Sequence, residues 1–198
     1  MHSSTLVVVK VGGSLFDLPN LGAYVKRWLD CLASPALIVP GGGPLVDALR
    51  ELDQRHKLGE ETCHWLALRA MSLNAFFLSK VLDDVELIKD LSGWQAATSK
   101  GRLAILDAYP FAVEDESQAG CLPHHWAVTS DSIAARVAAV FGALTLVLLK
   151  AVDLPKDANW AEAERLGIVD PYFRKALTPT VSPRLVNFRQ WVQEHPEP

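Results

Sequence analysis

Short apolar runs alternate along the chain with longer segments in which apolar residues recur every three or four positions. The runs that predict strands are residues 6–9, 36–39, 85–88, 103–106, 144–149 and 185–188. The segments that predict helices are residues 21–32, 45–56, 60–82, 131–141, 160–166 and 172–177. Strands that are apolar almost throughout and alternate with helices are typical of a parallel sheet covered on both faces. The pattern therefore predicts an α/β fold with a mostly parallel central sheet.

The connecting segments contain no internal repeat, no low-complexity tract and no long linker. We therefore expect residues 1–198 to form a single domain, which is long enough to bury a substantial core. Residues 110–123 are the best candidate for an exposed loop or lid, because prolines bound them and an acidic run lies within them. That acidic run, residues 114–116, is expected to be solvated.

Composition and charge limit the classes of partner. Hydrophobic residues make up 49% of the chain and charged residues 21%, which is typical of a globular protein. The net charge is −4 and no basic run occurs, so nucleic acid is not an expected partner. No apolar stretch approaches the roughly 20 residues that span a bilayer, and we expect a cytoplasmic protein without a membrane partner. The three cysteines form no Cys-x-x-Cys pair and predict no zinc site.

Two of the predicted strands end in glycine-rich turns. The turns contain Gly12, Gly13 and Ser14 after the first strand, and Gly41, Gly42 and Gly43 after the second. Ligands bind beyond the carboxyl ends of parallel strands, and successive glycines let backbone N–H groups converge on an anion. Pro44 follows the second turn and suits the first turn of a helix, whose N-terminus adds further donors. The turns therefore predict a phosphate site, although tight strand-to-helix connections alone would explain each of them.

Neither of the two most familiar nucleotide motifs describes these turns. The chain contains no Gly-x-x-x-x-Gly-Lys-Ser/Thr sequence, which excludes a standard P-loop. Val46 stands where the third glycine of a dinucleotide fingerprint belongs, and the acidic residues that follow lie in a predicted helix. Lys10 lies two residues before the first glycine, from where its ammonium group can reach a transferring phosphoryl group.

Two further polar positions follow in the second half of the chain. Asp131 opens a predicted helix directly after Thr129 and Ser130, so it caps the helix, serves a site, or does both. Lys150 ends an apolar strand, where a lysine either reaches the solvent at the rim or contacts a phosphate.

The order of these motifs resembles that of the amino-acid-kinase family. The resemblance runs from Val7 to about Asp153 and rests on Lys10-x-Gly12-Gly13-Ser14, strand–Gly41-Gly42-Gly43-Pro44–helix, Asp131 at a helix start, and Lys150-Ala151-Val152-Asp153 after a strand. It implies a three-layer αβα sandwich, ATP with magnesium, a small-molecule substrate and a homo-oligomer. It also implies that Lys10 bridges the donor and acceptor phosphoryl groups while Asp131 orients the lysines. Lys150 and Asp153 would lie on the nucleotide side, and no residue is assigned as a metal ligand.

A closer likeness concerns the acceptor. Residues 55–71 and 122–134 look like the branch of small kinases that act on aminomethylfuranmethyl phosphate in methanofuran and related one-carbon cofactor biosynthesis. Such a reaction would convert a phosphomonoester into a diphosphate. With this likeness, Trp126, Thr129 and Ser130 become candidate substrate residues, and Trp126 either faces a furan ring or only packs.

The chemistry of the motifs agrees with an anionic acceptor. A carboxylate or phosphate needs no base, whereas an alcohol benefits from one, and the motifs supply lysines and backbone donors only. His124 and His125 are candidate bases, although solvated side chains are the more common explanation for an adjacent pair on a loop. His64 is expected to be a hydrogen-bonded core or interface histidine.

Two alternative functions stay open. The first is a kinase of another small anion, such as an acylated amino acid or an isoprenyl phosphate. The second is a degenerate kinase fold that binds nucleotides or oxyanions without turnover. Leu154-Pro155 favours the second, because many family members have glycine directly after the aspartate that corresponds to Asp153.

Overall fold

The computed structural model describes residues 6–196, and a parallel sheet of six strands forms its centre. The strands are β1 (Val7–Val11), β2 (Ala36–Pro40), β3 (Val85–Ile88), β4 (Leu103–Leu106), β5 (Thr145–Lys150) and β6 (Ser182–Asn187). Their order across the sheet is β3-β4-β2-β1-β5-β6, and every neighbouring pair is parallel. The predicted α/β fold with a mostly parallel sheet is confirmed.

Helices cover both faces of this sheet. They are α1 (Leu21–Asp30), α2 (Gly43–His56), α3 (Glu60–Val81), α4 (Leu91–Ser99), α5 (Ala108–Asp115), α6 (Ser130–Val140), α7 (Trp160–Arg165), α8 (Phe173–Ala176) and α9 (Phe188–Glu194). Val8 and Val9 of β1 point to opposite faces, as successive strand residues do. Val8 belongs to a hydrophobic cluster with α6 and α8, and Val9 belongs to another with α1 and α9. This layering confirms the predicted αβα sandwich.

The register of the central strands brings their carboxyl ends to one edge of the sheet. β1 lies between β2 and β5, and Lys10 of β1 pairs with Val39 on one side and with Leu148 on the other. Both glycine turns and the end of β5 therefore lie side by side. This edge is where a parallel sheet binds its ligands.

Three helices have no counterpart in the predicted pattern, namely α4, α5 and α9. Asp90 caps α4 by accepting a hydrogen bond from the N–H of Gly93 (2.8 Å), and Asn187 caps α9 by accepting from Gln190 (3.2 Å). The predicted last strand over residues 185–188 is wrong at its end, because Phe188 begins α9 after this cap.

The predicted exposed loop over residues 110–123 is wrong in its first part, which belongs to α5. The side chain of Asp115 is buried, and both of its carboxylate oxygens accept hydrogen bonds from Arg136 of α6, at 2.6 and 2.7 Å. Glu114 and Glu116 are exposed, as predicted for the acidic run. Asp115 is the exception because a cation distant in sequence compensates its burial.

Within residues 6–196, no helix is both long enough and apolar enough to cross a membrane. That residues 1–198 form a single domain stays a prediction.

Candidate active site

The two glycine turns pack against each other at the edge of the sheet. Gly41 donates its N–H to the carbonyl of Val11 (2.8 Å), so the second turn lies against the end of β1. A Cβ atom at Gly13 would lie 2.1 Å from the backbone nitrogen of Gly43, and one at Gly41 would lie 2.4 Å from the nitrogen of Gly13. Neither distance is possible for a real side chain. The close approach of the two backbones therefore requires glycine at both positions.

A buried amide on α3 holds the second turn. Asn74 Nδ2 donates to the carbonyl oxygens of Gly41 and Gly42, at 2.8 Å in each case. Gly43 has a left-handed backbone conformation (φ +54°) and begins α2, whose first N–H groups have no acceptor within the helix. These donors and the helix dipole suit an anion. Sequence reasoning missed Asn74. An asparagine within an apolar helical stretch is a usable signal, because a buried polar side chain needs a hydrogen-bond partner.

A buried charge cluster lies beside these turns. Asp131 at the start of α6 has one carboxylate oxygen 2.8 Å from Lys10 Nζ and the other 2.6 Å from Lys150 Nζ. Lys150 donates a hydrogen bond to one oxygen of Asp131, and Lys10 forms an ion pair with the other. Burial alone would raise the pKa of Asp131, but the two ammonium groups together outweigh it and lower the pKa. Asp131 is therefore a carboxylate with two cationic partners.

The close approach of these charged groups affects the pKa of Lys150. Burial lowers its pKa to about 8, the positive charge of Lys10 acts in the same direction, and Asp131 only partly opposes them. Asp170 also raises the pKa of Lys150, with the smallest effect of these groups. Among the residues in direct contact, one carboxylate thus serves two ammonium groups, and the three together have an excess of positive charge. A buried excess charge is stabilised by a bound anion.

A carboxylate from a distant loop holds the first turn of α6. Asp170 accepts hydrogen bonds from the N–H groups of Thr129 (3.1 Å) and Ser132 (3.0 Å), from both of their hydroxyl groups, and from the N–H of Tyr172 (3.0 Å). The capping role that the sequence left open for Asp131 is therefore performed by Asp170. This arrangement leaves the carboxylate of Asp131 to the lysines. Sequence reasoning missed Asp170, because no local signal connects it to α6.

A cavity of about 460 Å³ opens onto the charge cluster. Its wall includes Lys10, Gly12, Gly13, Ser14, Gly42, Gly43, Trp126, Thr129, Ser130, Asp131 and Lys150 from the predicted site, together with Val46, Asp47, Arg50, His64, Ala67, Leu68, Met71, His125, Val128, Ile133 and residues 167–171. One face of α3 runs along this wall from His64 to Met71, one turn before Asn74. Ten residues of helix separate His64 from Asn74, which corresponds to about 15 Å. The cavity therefore has a cationic end at the lysines and glycine turns and an aromatic end at His64 and Trp126.

Two predicted site residues lie outside this wall. Gly41 supports the turn from behind, in contact with Gly13. Asp153 is exposed and accepts a hydrogen bond from Asn187 Nδ2 (2.9 Å). The structure thus brings most of the predicted residues to one cavity and leaves Asp153 at a neighbouring surface.

At the aromatic end, the partners of the histidines differ from those that the sequence predicts. His64 is 7% exposed, and no residue in the described range hydrogen-bonds its ring. Its ring stacks on that of His124, with centroids 4.8 Å apart. His124 is not merely solvated, because its Nε2 lies 2.9 Å from a carboxylate oxygen of Glu116. Trp126 donates its indole N–H to Asp53 (3.0 Å), which orients the ring at the cavity wall.

ATP and magnesium are the cofactors that this kind of site implies, and the residues fit the phosphates. Lys10, Lys150 and the glycine turns line one cavity, where their ammonium groups and backbone N–H donors would hold phosphoryl oxygens. Among residues 6–196, no group of three or more His, Cys, Asp or Glu side chains is arranged to hold a metal ion. Magnesium would therefore be held largely through phosphate oxygens, as is usual for this ion.

A parallel αβα sandwich with two glycine turns and two lysines around one aspartate has the parts that phosphoryl transfer requires, which are positioning and charge neutralisation. The class of protein that these features define is a small-molecule kinase. Residues 5–159 match the amino acid kinase family, and the chain belongs to that family.

Individual relatives extend the comparison. The chain is 25% identical over 175 residues to the [5-(aminomethyl)furan-3-yl]methyl phosphate kinase of Methanocaldococcus jannaschii, a match that covers 86% of this chain and 77% of the relative. Its fold is similar to uridylate kinase from Archaeoglobus fulgidus, with a TM-score of 0.65, 15% identity and coverage of 96% and 94%. UMP kinase from Bacillus anthracis is also similar, with a TM-score of 0.68, 14% identity and coverage of 94% and 88%. At these identities the two solved structures show the fold alone.

Proposed function

We propose that this kinase transfers the γ-phosphoryl group of ATP to the phosphate of [5-(aminomethyl)furan-3-yl]methyl phosphate and forms a diphosphate. The observation that carries the proposal is the Lys10–Asp131–Lys150 cluster, where two buried ammonium groups share one carboxylate beside the glycine turns. This excess of positive charge suits an acceptor that is itself a phosphate. The relative from Methanocaldococcus jannaschii supports the furan, and with it a role in one-carbon cofactor biosynthesis in the cytoplasm.

In the proposed reaction, an oxygen of the acceptor phosphate attacks the γ-phosphorus of ATP. The bond between that phosphorus and the oxygen shared with the β-phosphate breaks, and ADP leaves. The attacking oxygen already carries negative charge, so no side chain has to remove a proton. Lys10 neutralises the group in transfer, Lys150 supports it from the end of β5, and Asp131 holds both ammonium groups. Magnesium would screen the phosphate charges of the nucleotide.

The remaining predicted residues have proposed roles in binding. The glycine turns cradle phosphoryl oxygens, and Asp153 lies on the nucleotide side. Thr129 and Ser130 lie where α6 meets the cavity, and Trp126 offers a flat apolar surface to the furan ring. The apolar wall beside it gives a ring of this size a dry surface.

One experiment tests the reaction and its alternatives. Purified protein with Mg-ATP is incubated with the aminomethylfuran phosphate, an isoprenyl phosphate or an acylated amino acid, and phosphorus NMR follows the products. A new diphosphate signal with the furan phosphate supports the proposal. If only another acceptor gives a product, that acceptor is the substrate instead of the furan phosphate. If ATP binds and no acceptor gives a product, the chain is a binding protein and not an enzyme.

The variant Lys10→Ala tests the role of the cluster in the same assay. We expect transfer to fall by about 100-fold or more, because a buried cation that faces the transferred group is lost. Lys26→Ala is the matched control, since Lys26 lies exposed on α1 and pairs only with Asp30 in the next turn. Near-normal transfer by a folded Lys10→Ala variant would remove Lys10 from the mechanism.

We also propose that the chain forms a homo-oligomer. The side of α3 that faces away from the sheet exposes four large apolar residues, Leu73, Phe76, Phe77 and Val81. Their spacing places them on neighbouring turns of one helix, so they form a contiguous apolar surface. Such a surface is typical of a protein–protein contact.

A further inference from the structure

The aromatic end of the cavity carries a histidine for which the proposed reaction gives no role. We infer that His64 selects an acceptor with a primary amine at the end remote from its phosphate, by accepting a hydrogen bond from the protonated amine. The inference rests on the proposed function for the site and names the chemical group of the acceptor that the site recognises.

The ring of His64 is held in place before any ligand binds. It is 7% exposed, lines the cavity, and stacks on His124 with 19° between the ring planes. His124 is in turn fixed by Glu116 at 2.9 Å. No residue from Leu6 to Pro196 hydrogen-bonds the ring of His64, so its nitrogens are free for a ligand. A pre-positioned acceptor loses little freedom when it binds a donor.

The ring is also in the protonation state that an ammonium ligand requires. Burial lowers the pKa of His64 to about 4, and the nearby His124 and His125 act in the same direction while Glu116 opposes them. The imidazole is therefore neutral at physiological pH. A neutral imidazole has one nitrogen that accepts a hydrogen bond, and it does not repel a cation.

Three acidic side chains lie behind the wall at this end of the cavity, against Trp126 and His124, and do not line it themselves. Asp53 accepts the indole N–H of Trp126 at 3.0 Å. Glu116 and Glu61 lie 2.9 and 3.9 Å from the two ring nitrogens of His124. These carboxylates give the aromatic end a negative potential, which attracts an ammonium group.

The one arginine on this wall does not cancel that potential. Arg50 is paired with Asp47 at 3.1 Å, and its guanidinium lies 5.1 Å from the centre of the Trp126 ring. The opposite end of the cavity has the excess positive charge of Lys10 and Lys150. The cavity is therefore positive at one end and negative at the other, which matches a zwitterion with a phosphate and an amine.

The side chains between the two ends complete the match. Leu68 and Met71 follow His64 along the same face of α3, toward the glycine turns. They offer apolar contacts where a phosphate and an amine would be joined by a small aromatic ring. The order of groups along the wall is then phosphate, ring and amine.

The test compares the binding of two ligands, the aminomethylfuran phosphate and the analogue in which a methyl group replaces the aminomethyl group. Isothermal titration calorimetry without ATP measures both dissociation constants, so no turnover is needed. We expect the native protein to prefer the amine by about tenfold or more, as for a hydrogen bond to a charged group. His64→Phe keeps an aromatic ring that can stack on His124 but loses the acceptor, and we expect its preference to fall to about one.

Two further variants separate recognition from packing. His64→Gln restores an acceptor oxygen and is expected to regain part of the preference. His56→Phe, a matched change at an exposed histidine at the end of α2 and outside the cavity wall, is expected to retain it. A preference that survives His64→Phe, an equal loss of both ligands in that variant, or a lost preference in His56→Phe would overturn the inference, as would no binding of either ligand.

The outcome is independent of the proposed reaction. If the preference for the amine depends on His64 but no diphosphate forms in the NMR assay, the proposed reaction is wrong and the proposed amine subsite stands. Diphosphate formation from both ligands with equal affinity would leave the reaction and remove the subsite.

Discussion

Asp131 is a single carboxylate that holds two ammonium groups, and its position illustrates what a sequence reveals about individual residues. Lys10, Asp131 and Lys150 come from β1, α6 and β5, and each lies at the edge where parallel strands end. Their proximity follows from the predicted topology together with the family resemblance. Asp170 could not be predicted, because its five hydrogen bonds join a late loop to α6 and no periodicity marks such a contact.

Lys150 provides a prediction about pH. With a pKa of about 8, its side chain is an ammonium group below that pH and a neutral amine above it. Because the proposed mechanism uses the charged form of Lys150, we expect kcat/KM to fall as the pH rises through about 8. Lys150→Arg should move this loss to higher pH, since a guanidinium stays protonated. The charged groups that face Lys150 are Lys10, Asp131 and Asp170.

The measurement is a profile of kcat/KM for diphosphate formation from about pH 6 to about pH 10, which reports the pKa values of the free enzyme. Lys26→Arg, on the exposed side of α1, is the control and should keep the native profile. An alkaline limb that is the same in Lys150→Arg and in the native protein would assign it to another group.

At the level of elements, strong apolar runs were predictable and short capped helices were not. β3 and β4 have the predicted bounds, because each is a short apolar run between polar segments. α5 was not predictable as a helix, since Pro110 and an acidic run indicate a loop. The burial of Asp115 at the end of this helix depends on Arg136, which lies 21 residues later in the sequence. A contact at that separation leaves no mark in a local pattern.

The pairing of α5 with α6 predicts a clear effect on stability. Asp115→Ala leaves Arg136 buried without a partner, and we expect the free energy of unfolding to fall by about 3 kcal/mol or more. Glu114→Ala is the matched control, because Glu114 is exposed and its ion pair with Lys89, at 3.4 Å, lies at the surface. That variant should change stability by less than about 0.5 kcal/mol. Urea denaturation of both variants measures the difference, and equal midpoints would contradict the role of the pair.

At the scale of the whole molecule, the sheet has an order that the sequence did not define. Apolar strands between helices indicate parallel pairing, but they do not say that β1 lies between β2 and β5. The family resemblance implied a three-layer αβα sandwich but no strand order, and the common edge for the glycine turns was expected from parallel pairing alone. The aromatic end of the cavity was only partly predictable, because His64 and Trp126 are brought together by the packing of a loop on α2 and α3.

The exposed face of α3 predicts a change in assembly. Phe76 is 50% exposed at the centre of that face, so Phe76→Glu should place a charge in the contact and favour the monomer. Light scattering after size-exclusion chromatography should give a multiple of 21.7 kDa for the native protein and 21.7 kDa for the variant. Leu166→Glu, at a similarly exposed position after α7, is the control and should not change the mass. An unchanged mass for Phe76→Glu would place the interface elsewhere.

α3 runs past the glycine turns, so positions along this helix correspond to distances along the site. Asn74 lies beside the turns where we propose that a phosphate binds, and each residue toward Glu60 adds about 1.5 Å. The reach of the site is then set by the position along this helix that carries the polar group, independently of the chemistry at the other end. Moving the histidine from position 64 to the neighbouring wall position 67 would shorten that reach by about 4.5 Å without altering the lysines. The length of the acceptor that the site admits can therefore change in this fold without a change in the residues proposed for phosphoryl transfer.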